Sequence, residues 1–189
     1  MSARRTILRL ASIVALGAAL GFSTVQAGCG TPSTEAGPSL DEATMALISA
    51  ARGLHHEADV LESSGDIAGA QRAVQRVLGL RAPSAVREID DVRSDAFGRV
   101  AELALRANDP QTALDRVDEG LREARRDSVL KARLLLVRGR ALRALGEQAQ
   151  TRGDATTAAA RRRDAIEALE QSIHMNERVL EAALDGGVR

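Results

Sequence analysis

The chain has one thiol, Cys29, set in "TVQAGCGTPSTEAGPS" at residues 24–39. A lone cysteine in an oxidising compartment has no disulfide partner and can cross-link molecules, unless its sulfur is consumed in another bond. Metal chemistry has one candidate, "HHE" at His55–Glu57, where His55 and Asp59 are four apart and share a helix face. Two ligands from one helix do not make a site. Neither an HExxH motif nor a cysteine pair supports them, so the segment reads as a solvated helix face. His174 stands alone. "RRR" at Arg161–Arg163 could engage phosphate, but Asp164 and Glu167 lie within one turn and make it an ion-laced exposed face. Ser-His-Asp and Cys-His catalysis lack a constellation, and no Gly-rich loop follows a strand. The sequence therefore assigns no catalytic, cofactor-binding or metal-binding residue, and an enzyme is the least expected reading.

The surroundings of Cys29 give its sulfur a use. Arg4, Arg5 and Arg9 form a basic start without an acid, and "LASIVALGAALGF" from Leu10 to Phe22 is apolar. This is the build of an export signal, spanning residues 1–28. The apolar stretch is shorter than the roughly 20 residues needed to span a bilayer as a helix. "VQA" at Val25–Ala27 fits an ordinary signal peptidase site. "AGC" at Ala27–Cys29 resembles the lipobox of bacterial lipoproteins, with Gln26 where that family has an aliphatic residue. The resemblance implies that Cys29 receives a diacylglycerol and becomes the acylated N-terminus. Gly30, in place of the aspartate that retains such proteins in the inner membrane, points to the outer membrane. "ARRTILR" at Ala3–Arg9 also resembles a twin-arginine signal, though an ordinary basic start accounts for it. "GTPSTEAGP", Gly30–Pro38, makes residues 29–38 a flexible tether reaching at most roughly 28 Å as polyproline II.

The remainder must supply a folded body. The formal net charge is zero, which removes the electrostatic argument for nucleic acid. Apolar residues make up 44% but aromatics only 1%, so Leu, Ala and Val do the packing, as in helices. Lys131 is the only lysine, so nearly all basic residues are arginine.

From Ser39 the apolar spacing is helical. Leu40, Ala43, Leu47, Ala50, Leu54, Ala58 and Leu61 are three or four apart, and Ser39 with Glu42 fits a capping box behind Pro38. The breaks recur in one form: Gly65-Asp66, Asn108-Asp109-Pro110 and Gly153-Asp154. In each, a residue tolerant of left-handed φ ends a helix and an aspartate caps the next. Looser joints fall at Arg81–Ser84 and Arg126–Ser128. The spacing predicts six helices, over 39–63, 66–80, 84–107, 110–125, 128–151 and 154–184, within a helical domain at 39–185 and a disordered C-terminus at 186–189.

The repeated hairpins resemble the tetratricopeptide repeat. Leu54, Ala58, Leu61, Gly65, Ala70, Val74 and Leu78 fall on its pattern, with Pro83 near its closing proline. Phe97, Ala101, Ala104, Asn108, Ala113, Val117 and Leu121 repeat it. The turn residues are 43 and 45 apart (Gly65 to Asn108 to Gly153), against about 34 for the family. "RGRALRALGE" and "AIEALEQSI" look like the two helices of a third unit, separated by an insert at 147–160. Its turn at Gly153-Asp154 adds about two helical turns to each side. The only apolar residue of that insert is alanine, so it should protrude.

The resemblance implies an all-α fold of three antiparallel hairpins stacked as a tetratricopeptide-repeat-like solenoid, the third elongated. Together with the lipobox-like segment at Cys29, it implies a membrane-anchored envelope lipoprotein facing the periplasm, binding another protein or peptide as adaptor or assembly factor. A soluble periplasmic protein and a self-associating structural protein are the alternatives. A groove lined by arginine and asparagine would favour the adaptor, and a symmetric apolar face would favour self-assembly.

Overall fold

The computed structural model describes residues 41–81 and 87–186. Cys29, the expected signal segment and tether, Ser39, Leu40, Pro83, Ser84 and residues 187–189 lie outside them. The described residues form six helices and no strand: α1 (Glu42–Ser63), α2 (Ile67–Leu78), α3 (Arg87–Arg106), α4 (Pro110–Glu123), α5 (Val129–Thr151) and α6 (Ala155–Gly186). The protein is all-α. Among the described residues no helix is long and apolar enough to cross a membrane.

The breaks are built from their own residues. Gly65 and Gly153 have φ of 85° and 79°, and Asn108 has φ of 60°. Each reverses the chain in the left-handed region, where a β-carbon is costly. Asp66, Asp109 and Asp154 then accept hydrogen bonds from the backbone N–H of Gly69, Thr112 and Thr157, at 2.8, 3.0 and 3.0 Å. Pro110 opens α4, where its missing N–H is not needed. Ser128 caps α5 by accepting from the Lys131 N–H at 3.1 Å.

Several expectations need correction. The cap of α1 is Asp41, not a Ser39–Glu42 box: its carboxylate accepts from the Thr44 N–H at 2.8 Å and the Thr44 hydroxyl at 3.0 Å. A charged carboxylate with two local donors faces the positive end of the helix. The buried face of α1 is Thr44, Leu47, Ala51, Leu54 and Ala58, while Ala43 and Ala50 are exposed. Leu47, Leu54 and Ala58 of the expected series are buried, and Thr44 and Ala51 take the places of Ala43 and Ala50, a choice that three-or-four spacing alone does not distinguish. α2 stops at Leu78 and α4 at Glu123, two residues early in each case. α6 runs through Gly186, because Ala182, Ala183 and Leu184 are strong helix formers.

Successive helices pack on one another, and α3 also packs on both α1 and α5. One core joins α1, α2 and α3 through Leu54, Ala58, Ala70, Val74 and Leu103. A second joins α3 to α6 through Phe97, Val117, Leu134, Leu142 and Ala165. Gly120 makes room for the one large ring, since a β-carbon there would lie 2.7 Å from Phe97 Cβ.

α6 packs chiefly along α5. The two run antiparallel about the Gly153 turn, with small residues seven apart on each: Ala132, Gly139 and Gly146 on α5, and Ser172, Ala165 and Ala158 on α6. A β-carbon on Gly139 would lie 3.1 Å from the Ala165 carbonyl oxygen, and one on Gly146 3.4 Å from that of Ala158. In the insert, Ala149 and Ala158 are fully buried between the helices, whereas Ala155 and Ala159 are exposed.

Candidate binding face

The helices α1, α3 and α5 present a row of charged side chains to one another. On α3, Arg99 reaches Asp59 at 2.6 Å and Glu62 at 2.5 Å on α1. Arg106, two turns further along α3, also pairs with Glu62. On α5, Arg133 bridges to Asp95 at 2.5 Å and Glu102 at 2.7 Å on α3. Its hydrogen bond to Glu102 holds the guanidinium above its ordinary pKa, against the opposing effect of burial. These are half-buried pairs linked as a network, so they resist screening better than isolated surface pairs.

The ladder decides where the sequence candidates point. His55 lies 3.6 Å from Asp95 on α3, while Asp59 is taken by Arg99. The two do not converge, and among the described residues no group of three metal-ligating side chains forms. The His174 ring lies 2.9 Å from Glu177, and the His174 carbonyl oxygen accepts from Arg178 at 3.4 Å. Arg161 sits 3.9 Å from Asp164 and Arg162 hydrogen-bonds Gln150.

Two clefts open on this face. Between α1 and α3 one of about 380 Å³ is lined by Asp59, Glu62, Ser63, Ile67, Arg99 and Arg106. Its arginines are matched by its acids. Between α3 and α5 one of about 450 Å³ is lined by Glu102, Leu105, Arg106, Arg140, Arg143 and Ala144. Here the balance is different. Glu102 is held by Arg133, and Arg143 has only an exposed partner, Glu147, at 3.6 Å. Arg140 has no carboxylate partner among the described residues. Leu105 and Ala144 give the floor an apolar part. Arg106 is shared with Glu62 of the neighbouring cleft, so Arg140 and Arg143 are the guanidiniums that can hold a carboxylate-bearing chain over this floor, since each presents planar donors and keeps its charge.

Arg133, Arg140 and Arg143 were not singled out by the sequence reading, nor were Arg99 and Arg106. The available signal was their period: 99 and 106, like 133 and 140, are seven apart and so lie on one side of a helix. A third cleft of about 380 Å³, between α5 and α6, is lined by Lys131, Leu135, Gln171, His174, Met175 and Arg178. Asp127 pairs with both Lys131 and Arg178 and so neutralises much of its charge. The hydrogen bond from Arg178 holds the Asp127 carboxyl below its usual range.

Comparison with known proteins gave no match: no family model, no curated protein and no solved structure is similar to this chain.

Proposed function

We propose that the chain is an exported lipoprotein, anchored through Cys29 to the outer membrane and facing the periplasm. Its helices stack as three tetratricopeptide-repeat-like hairpins and hold an acidic segment of another envelope protein. The observation that carries the binding reading is Arg140, which lines the α3/α5 cleft without a carboxylate partner among the described residues, beside Arg143, whose partner is the exposed Glu147, and Glu102, already held by Arg133. Support for the stacking comes from the contacts of α3 with both α1 and α5, which place alternate helices side by side. The lipid reading rests on "AGC" and the tether-like residues after it.

The test is photocrosslinking in membranes from position Ala144, in the otherwise native chain and in an Arg140→Glu/Arg143→Glu variant. The reading expects a discrete adduct with an envelope protein, lost on charge reversal while circular dichroism stays helical. An adduct that survives reversal would sink the acidic-segment reading. Separately, Cys29→Ser should move the protein from the membrane to the soluble fraction with its helicity unchanged. A mature wild-type protein of unmodified mass starting at Gly28 would leave the soluble periplasmic alternative.

A further inference from the structure

Seven large apolar side chains are exposed among the described residues, and four of them lie on α6: Ile166, Ile173, Leu180 and Leu184, at 57–64% exposure. Ile166, Ile173 and Leu180 are seven apart, and the exposed Ala159 continues the series one step toward the turn. Seven residues are close to two helical turns, so these side chains form one stripe. From Ala159 to Leu180 it runs about 31 Å. The adjoining side of α6, with Ala158, Ala165, Ala168, Ser172 and Met175, is already buried. A helix at the end of a packed series needs one apolar face. On α6 that face continues into an exposed stripe.

We propose that the outer stripe of α6 is the contact surface for a second copy of this chain, packed antiparallel with Ile173 at the two-fold axis. Charge along the helix selects both occupant and direction. The stretch Ala159–Ala165 holds three arginines and one aspartate, and Glu177–Asp185 holds three acids and one arginine. Arg178 is engaged by Asp127, and neither Arg163 nor Glu181 has an ion-pair partner among the described residues. Antiparallel pairing sets Ile173 against its counterpart, Ile166 against Leu180 of the second copy, and Arg163 beside Glu181 of the second copy. A parallel pair would set arginines on arginines. A lipid surface is the poorer occupant, because helices that lie on membranes carry Lys and Arg beside the apolar stripe. This stripe is bordered by Arg162 and Arg163 at its N-terminal end only, and by Glu170 and Glu177 along the rest.

A seam of one helix per copy is narrow against the roughly 800 Å² per partner of a standard interface, and the proposal expects a dimer of micromolar affinity that reverses on dilution. The surface is independent of the α3/α5 cleft, and the tests separate the two: cleft variants leave the dimer intact.

The experiment uses the mature chain with Cys29→Ser, to remove the lipid and the native thiol, in sedimentation equilibrium across the micromolar range. Ile173→Asp should weaken association at least about tenfold with helicity unchanged. Arg163→Glu and Glu181→Arg should each weaken it, and the two together should restore it. Introduced at the axis, Ile173→Cys should give a disulfide-linked dimer on oxidation. A chain that stays monomeric to about 200 µM, or a charge swap that fails to restore association, overturns the proposal. So does an unaffected dimer in Ile173→Asp. Flotation of the monomer on phosphatidylcholine–phosphatidylglycerol vesicles, lost in Ile173→Asp, would overturn it in favour of a lipid surface.

Discussion

The Ser172 hydroxyl donates a buried hydrogen bond to the Ala132 carbonyl oxygen at 2.7 Å, tying the middle of α6 to the first turn of α5. It is one layer of three. Gly139 faces Ala165 in the next, and Gly146 faces Ala158 in the last before the turn. Seven-residue spacing on both helices keeps small residues opposite small ones, so the backbones approach closely enough for a side chain to reach a carbonyl. The register of this hairpin is therefore set by volume, with one hydrogen bond to confirm it.

Two glycine substitutions should have opposite signs. A β-carbon on Gly139 would lie 2.8 Å from the Leu169 side chain and 3.1 Å from backbone, whereas one on Gly53 meets nothing within 4 Å. Gly139→Ala should destabilise by about 1–3 kcal/mol through overpacking. Gly53→Ala should stabilise by about 0.5–1 kcal/mol, since an exposed helix interior gains from the lost backbone freedom. Urea unfolding midpoints of the two variants should move in opposite directions. Equal shifts would mean the close approach at Gly139 is wrong.

The first turn should be sensitive in two separable ways. Gly65 has φ of 85°, so Gly65→Val should cost roughly 1 kcal/mol or more, because a β-branched residue resists that region. Asp66→Ala removes the acceptor of the Gly69 N–H and should cost about 1 kcal/mol. Asp66→Asn keeps the acceptor and should recover most of it. Thermal midpoints insensitive to all three would displace the turn.

Acid should weaken the fold through its caps. Asp41 is held below the usual carboxylate range chiefly by the Thr44 N–H, and Asp109 and Asp154 by hydrogen bonds from Thr112 and Thr157. A carboxyl with a depressed folded pKa adds stability that is complete above its unfolded value, about 3.9. That stability is lost as pH falls through the folded value. Urea midpoints should be level at neutral pH and drop below about pH 4. The variant Asp41→Asn/Asp109→Asn/Asp154→Asn retains side-chain acceptors without titrating, and its acid limb should be flatter. An acid limb identical to wild type would assign the loss to other carboxylates.

The insert at 147–160 should be dispensable as a whole and not by halves. α5 passes Arg106 on α3 near Arg140, Arg143 and Ala144, so the insert extends beyond the end of α3. Replacing all fourteen residues with a three-residue turn keeps Gly139 opposite Ala165 and Ser172 opposite Ala132. Removing only 147–153 shifts the pairing by about half of the seven-residue repeat and sets bulky residues against small ones. Circular-dichroism melts should show the full deletion near wild type and the half deletion well below it. Unfolding of the full deletion would make Ala149 and Ala158 part of the essential core.

The sequence by itself determined what depends on a few neighbouring residues. Helical spacing, the left-handed positions at Gly65, Asn108 and Gly153, and the aspartate after each are local, because backbone sterics and a capping carboxylate act within one turn. Periodicity also showed which residues share a face. It did not show which faces are covered. Ala50 and Ala51 are equally good by spacing, and packing against α2 and α3 buried the second. Ile166 and Ile173 belong to a regular apolar series, yet they are exposed because, among the described residues, no helix packs on that side of α6. The arginine row is the same case. Arg99 and Arg133 find their acids on helices some 30 to 40 residues away in sequence, and Arg140 is left over. Which charges are matched and which remain to meet another molecule is fixed only when separate helices are brought side by side, since ion pairing depends on distance in space.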